Sequence, residues 1–224
     1  MNAFRKTTVT ALCFLMIFSL FGCSEKKKTV TMGSYQGEPI EWIVLKTEEG
    51  KKLLLSEKVL DAKQFDASGK WKWEECSLRA WLNSDFYDQA FSPEEKEKIL
   101  LSTVENHLKI HTYDRELESL PNTEDKVFLL SFSEMVEHNG TFNGPLTTKT
   151  TAYTSTMLDP TKLNWWLRTG CQLPVNDTSY IMGTAYVISY RDIKDRPSSH
   201  IVTSVVRGQN TDVKGVRPAI WIKK

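Results

Sequence analysis

Trp73-Glu74-Glu75-Cys76-Ser77-Leu78-Arg79-Ala80-Trp81-Leu82-Asn83 is the stretch whose reading decides the fold. Ser77 can cap a helix in which Leu78, Trp81 and Leu82 fall at i, i+3 and i+4, making one apolar face. Arg79 sits inside that apolar run. A guanidinium among tryptophans must be paired or stacked, because an unpaired buried charge is very costly.

Toward the N-terminus the period changes from helical to strand-like. Residues 40–47 read as a strand, Glu48-Glu49-Gly50-Lys51 as a turn, and Leu53-Leu54-Leu55 as the returning strand of a hairpin, buried on both faces. Toward the C-terminus, Ser92-Pro93-Glu94-Glu95 is a helix start: serine caps, proline suits the first turn, and Glu95 can reach back to the cap. It predicts a helix over 93–101. Val127-Phe128-Leu129-Leu130 reads as a buried strand. Ser131-Phe132-Ser133-Glu134 then starts a short helix that stops near Asn139-Gly140. From about residue 144 on, Gly, Pro, Asn, Asp, Ser and Thr become common. Short strands are expected at 180–189, 200–206 and 216–222, with variable loops at 170–179, 190–199 and 207–214. Few helices, many short strands and long loops define an α+β chain.

The first residues set the compartment. Arg5 and Lys6 precede an apolar run from Val9 to Gly22, about the length of a signal-peptide core and too short to span a bilayer. The run ends in Leu20-Phe21-Gly22-Cys23, which resembles the bacterial lipobox. A small residue before the cysteine fits the peptidase, and the thiol takes the diacylglyceryl group. Phe21 is bulkier than the residue usual there. The expectation is a cleaved signal peptide over 1–22, a lipid anchor (palmitate-type acyl chains) on Cys23, and a flexible tether over 23–37 carrying Lys26, Lys27 and Lys28. The domain then runs from 38 to 224. An ordinary signal peptide or an uncleaved anchor is the alternative.

The chain has 224 residues, a formal net charge of +1 and seven tryptophans. Losing Arg5 and Lys6 tips the balance slightly negative. No basic stripe stands out, which argues against nucleic acid as a partner. Cys13 leaves with the leader, so Cys76 and Cys171 are the domain's thiols. Outside the cytoplasm a disulfide between them is permitted; two buried thiols is the other reading.

Three stretches in order carry a resemblance. They are residues 73–83, followed by Phe86-Tyr87 and Ala90-Phe91-Ser92; Thr151-Ala152-Tyr153 with Trp165-Trp166-Leu167-Arg168-Thr169-Gly170; and Gly215-Val216-Arg217-Pro218-Ala219-Ile220-Trp221-Ile222. Together they resemble the bacterial domain-of-unknown-function family numbered 6273. That family looks related to C-type-lectin-like and formylglycine-generating-enzyme-like domains. The resemblance implies a compact α+β fold with short sheets, two or three helices and long irregular loops. It also implies a closing strand with a Gly-x-Arg signature, here Gly215-Val216-Arg217. Thr169-Gly170-Cys171 departs from the Ser-Pro-Gly turn more usual in the family. Arg79, Trp81, Arg217 and Trp221 are then structural motif residues. No activity comes with the family. The paired late cysteines that bind copper in formylglycine-generating enzymes are not matched, since Cys76 lies far ahead of Cys171.

Candidate binding residues gather late in the chain. On a strand, Trp165 and Trp166 point to opposite faces, so one could fill the core while the other stacks a ligand; both in the core is the plainer reading. Arg168 or Arg217 could line an anion site, or lock loops to the core. The candidate ligand set is Trp165, Trp166, Arg168, Asn176, Asp177, Arg191 and Asp192. Asn176, Asp177, Asp192, Asp195, Asn210 and Asp212 could offer oxygen ligands to calcium, though turn formation is the ordinary role of such residues. His107 and His111 have the spacing of a helical metal pair, with no Glu or Cys to complete a signature. His138 and His200 have no evident partner. No metal site or resident cofactor is expected otherwise, and no nucleophile elbow, P-loop or dinucleotide fingerprint occurs.

The expectation is a non-enzymatic binding module on a lipid anchor at the cell membrane or outer membrane, facing away from the cytoplasm. It would hold a glycan, a peptide or an envelope protein. An envelope scaffold acting through protein contacts is the alternative, and an exported enzyme of formylglycine-generating type comes third.

Overall fold

A computed structural model describes residues 28–110, 118–139, 148–160, 162–176, 179–190 and 210–224. The leader and Cys23 lie outside the described residues.

The chain opens on a hairpin of β1 (Thr29–Tyr35) and β2 (Glu38–Glu48). Gln36 (φ 51°) and Gly37 (φ 81°) form the two-residue turn, and both have the positive φ that a type I′ hairpin needs. The expected tether therefore ends sooner, because residues 29–37 belong to the sheet. Pairing with β2 recruits them: Met32 and Tyr35 are buried, and Trp42 Nε1 donates to the Met32 carbonyl at 2.8 Å. Gly33 sits at a bulge with φ 74°. A Cβ there would lie 2.6 Å from the Ala90 carbonyl oxygen, so only glycine lets the helix end approach.

The expected hairpin into β3 (Lys51–Ser56) forms, turning at Gly50 with φ 72°, and Leu53, Leu54 and Leu55 are all buried. Short β4 (Lys58–Val59) and β5 (Asp61–Gln64) follow. The motif helix forms, but its cap is Cys76 and not Ser77: the Arg79 N–H donates to Cys76 Sγ at 3.4 Å and Ser77 is the first helical residue. α1 (Ser77–Trp81) passes through a π-helical turn (Leu82–Phe86) into α2 (Tyr87–Ala90), burying Leu78, Leu82 and Phe86. Its N-terminus is held from a distance, because the Ser77 N–H donates to Asp66 Oδ2 at 2.8 Å.

The Ser92–Glu95 capping box forms, but α3 (Pro93–Lys96) is shorter than the expected 93–101. A sheet edge takes over instead: Ile99 bridges Ile222 and the Leu100 N–H donates to the Trp221 carbonyl at 2.8 Å. Next come β6 (Ser102–Ile110) and β7 (Glu118–Asp125). His107 is therefore on a strand, and the helical histidine pairing with His111, which lies outside the described residues, fails on that ground. Val127–Leu130 is buried as expected, with a single bridge from Phe128 to Ala219 rather than a full strand. α4 (Phe132–Asn139) begins at the predicted box: Glu134 N–H donates to Ser131 Oγ at 3.1 Å, and Ser131 N–H to Glu134 Oε2 at 2.7 Å.

The last third is more regular than its composition suggests. After β8 (Lys149–Thr150), β9 (Lys162–Asn176) and β10 (Ser179–Tyr190) pair antiparallel along their length. Residues 170–176, expected in a loop, are strand because this pairing continues through Cys171 and Leu173. Residues 200–206 lie outside the described residues. The strand expected at 216–222 is two, β11 (Val213–Val216) and β12 (Ala219–Lys223), parted by Arg217-Pro218.

β1-β2-β3-β12 make one sheet, and β5-β11-β9-β6-β7 make a second with β10 paired on β9; β4 and β8 form a small third. β9 is parallel to β6 and β11, and antiparallel to β10. The architecture is thus α+β with several small sheets. The Arg217-Pro218 corner carries the chain from one large sheet to the other, where the Ser56 N–H donates to the Pro218 carbonyl at 2.9 Å. Gly215 faces a tight spot on the way: a Cβ would meet Val59 Cγ1 at 2.7 Å. The core includes Trp42, Phe65, Trp73, Phe86, Phe128, Trp165 and Trp166. Among the described residues, no helix is long and apolar enough to cross a membrane.

Candidate functional site

The three motif arginines turn inward. Arg79 Nε donates to Asp125 Oδ1 at 2.6 Å. Asp125 is fully buried and also accepts from Trp73 Nε1 at 2.9 Å and Thr123 Oγ1 at 2.7 Å. Arg168 pairs with Glu134, donates to the Leu129 carbonyl at 2.6 Å and straddles the Glu105 carbonyl. Arg217 donates from Nε to the Ser56 carbonyl at 2.7 Å and lies over the Trp165 ring at 5.2 Å. Burial pulls its guanidinium below the ordinary arginine range, with Glu57 opposing. Each arginine ties a carboxylate, a carbonyl or a ring to the core, so the loop-locking role fits all three. The anion-site reading of Arg168 and Arg217 finds no open surface, since both are almost wholly buried.

A different cluster reaches the surface. Alternation on β5 puts Asp61 and Lys63 on one face. Tyr35, at the end of β1, donates from its hydroxyl to Asp61 Oδ2 at 2.6 Å. Burial, reinforced by the Asp61 hydrogen bond, pushes the Tyr35 phenol pKa well above its usual value, so it stays neutral. Trp81, last residue of α1, meets Tyr35 edge-on with centroids 6.3 Å apart. Tyr153 meets Tyr35 from another side at 6.4 Å and 84°. Two local bonds fix Tyr153: Ala152 N–H donates to Glu38 Oε1 at 2.7 Å, and Thr154 Oγ1 to the Val59 carbonyl at 3.1 Å. Lys63 Nζ stands over the Trp81 ring at 4.3 Å, 3.7 Å from Asp61 Oδ2. Tyr35 and Asp61 are buried, whereas Trp81, Tyr153 and Lys63 are half-buried. Aromatic edges and faces, a neutral phenol, a carboxylate and an ammonium together can hold a polar ligand.

Residues 49–224 match the model of a family described as "Domain of unknown function (DUF6273)". The chain belongs to that family. No curated protein and no solved structure matches it. Within the DUF6273 domain lie Asp61, Lys63, Trp81 and Tyr153, while Tyr35 comes from the segment ahead of the matched region. All three sequence motifs fall inside the match.

Among the described late-chain candidates of this DUF6273 domain, Trp165, Trp166 and Arg168 enter the core. Trp165 and Trp166 are both fully buried, and Trp166 Nε1 donates to the Lys63 carbonyl at 2.8 Å. The plainer reading holds for both and the stacking platform does not form: Trp166 packs against Phe65 with centroids 5.6 Å apart, and Trp165 lies under the Arg217 guanidinium. Asn176 ends β9; Asp177, Arg191, Asp192 and Asp195 lie outside the described residues. Asn210 is buried and donates to the Gly69 carbonyl at 3.0 Å, and Asp212 pairs with Lys214 at 3.0 Å. Those contacts serve loop structure. Among the described residues no group of three or more His, Cys, Asp or Glu could hold a metal. Cys76 and Cys171 are both buried thiols with no disulfide between them. Burial pushes Cys76 up to about 12, against the opposing Arg79 N–H, which leaves it inert near neutral pH. His138 is buried in α4, and Trp221 lies under Lys51 Nζ at 4.4 Å.

Sequence reasoning set Trp81 among the structural residues and missed Tyr35, Asp61 and Lys63 as site residues. The available signal was the Asp61-x-Lys63 spacing, one carboxylate and one ammonium on the same strand face.

Proposed function

We propose that this chain is a membrane-anchored lipoprotein whose domain is a non-enzymatic binding module. Cleavage before Cys23 and acylation of its thiol hold the domain at the cell membrane or outer membrane, facing away from the cytoplasm. The proposal rests there on the basic start, the short apolar run and the Leu20-Phe21-Gly22-Cys23 ending. A C-type-lectin-like ancestry is part of this reading, supported by the mixed small sheets and by the Gly-x-Arg segment that closes the chain.

The observation that carries the binding reading is the half-buried Trp81 beside Tyr35, Tyr153, Asp61 and Lys63. Large rigid rings offer contact area at little entropic cost, and the polar groups give orientation. With the 165–166 pair in the core, this cluster is the ligand surface that the described residues support. A glycan, a peptide or an envelope protein remains the ligand range.

The test uses full-length protein in detergent micelles, labelled with 5-fluorotryptophan and assigned by single Trp→Phe variants. Cell-wall glycan fragments, short peptides and small polar solutes are added in turn. The binding reading expects at least one of them to shift the Trp81 fluorine resonance while the buried Trp165 and Trp166 stay in place. A panel that leaves Trp81 unmoved contradicts it.

A further inference from the structure

We infer that the Tyr35–Asp61–Trp81–Tyr153 site takes an organic ammonium group, and that Lys63 occupies it as an internal stand-in; this deepens the binding reading above and rests on it. Lys63 Nζ lies 4.3 Å from the Trp81 ring centroid and 3.7 Å from Asp61 Oδ2, so it already makes the two contacts a cationic ligand would make. Ring faces attract cations through their quadrupole, and the carboxylate adds a full charge. Tyr35 meets both Trp81 and Tyr153 edge-on, with centroids 6.3 and 6.4 Å away.

Three other lysine–ring contacts differ in one respect. Lys51 over Trp221 pairs with Glu48 at 34 % side-chain exposure, Lys96 over Tyr87 with Asp88 at 71 %, and Lys214 over Trp166 with Asp212 at 48 %. Water can solvate each of those carboxylates when its lysine leaves. Asp61 has a side chain only 4 % exposed, and its donors, the Tyr35 hydroxyl and the Ala62 N–H, carry no charge, so another cation is the favoured replacement for a departing Lys63. The Lys63 side chain is itself 34 % exposed on a flexible stem, so it can swing into solvent. A neutral ligand on Trp81 would strand the buried carboxylate without a counter-charge. An ammonium ligand would not.

The test compares choline with its neutral isostere 3,3-dimethyl-1-butanol on the fluorotryptophan-labelled full-length protein. Choline is expected to shift the Trp81 resonance, and the isostere at equal concentration is not. Lys63→Met removes the tethered competitor and is expected to tighten choline binding about tenfold. Asp61→Asn is expected to weaken it about tenfold. Lys63→Met carries the decision if Asp61→Asn fails to fold, because the Asp61 carboxylate keeps its hydrogen bonds from the Tyr35 hydroxyl and the Ala62 N–H when the ammonium is gone. The inference is overturned if the isostere binds as well as choline. It is also overturned if Lys63→Met fails to tighten binding, or if choline moves Trp81 in neither protein. A neutral glycan fragment that shifts Trp81 where choline does not overturns the ammonium inference alone and leaves the binding module standing. Failure of every ligand removes both.

Discussion

Tyr35 donates a 2.6 Å hydrogen bond to Asp61, and this contact ties the N-terminal hairpin to the edge of the second sheet. Tyr35→Phe is expected to cost about 2 kcal/mol, the value of a hydrogen bond to a charged acceptor. The phenol pKa is raised in the fold, so its contribution is full below the unfolded pKa of about 10 and is lost as pH rises beyond it. Urea unfolding of both proteins from pH 7 to alkaline values measures this. The gap should narrow above about pH 10. A gap constant across that range contradicts the assignment.

Arg168 is almost wholly buried and depends on Glu134 for its counter-charge. Burial works to raise the Glu134 carboxyl, but Arg168 and the Ser131 bonds win and hold it below its usual value. Its stabilisation is therefore present above the unfolded carboxylate pKa and fades as pH falls through the folded one. Glu134→Ala at neutral pH should cost about 3 kcal/mol, because it strands a buried guanidinium. Thermal unfolding reads this directly, and a loss within about 0.5 kcal/mol would place the pair among surface contacts.

Asp66 caps α1 across sequence and closes its own turn. Burial raises its carboxyl, yet donors from Ser68 (hydroxyl and N–H), Ser77 and Lys70 outweigh it and bring the pKa down to about 2. Asp66→Ala should destabilise the fold by about 2 kcal/mol. The difference should be full above about pH 4, the unfolded value, and shrink as pH falls toward about 2. Parallel acid titrations followed by tryptophan fluorescence check it; curves that stay equally far apart down to that pH speak against the cap.

Local signals were readable where a contact closes within a few residues. The capping boxes at Ser92–Glu95 and Ser131–Glu134 formed, and so did the hairpin of β2 and β3, fixed by alternation and Gly50. Tertiary pairing overrode the rest. The 93–101 helix lost its second half to the Leu100–Trp221 bond, and β6 was hidden because polar residues such as Asn106 are held by partners 15 or more residues away. The same applies to the site. Tyr35 and Asp61 are 26 residues apart, and no periodicity links a hairpin end to a sheet edge. Trp165-Trp166 looked like a platform because alternation alone suggests two faces; it cannot show that both faces of β9 are covered.

The proposed place of this domain on a membrane depends on one acylated thiol, at Cys23. Cells producing the wild-type chain or Cys23→Ser are fed an alkyne-tagged palmitate, fractionated, and the tag on the protein is measured. Anchoring through Cys23 puts a tagged wild-type protein in the membrane fraction and leaves the Cys23→Ser protein untagged and outside it. A Cys23→Ser protein that still takes up the tag and stays with the membrane rules this anchor out.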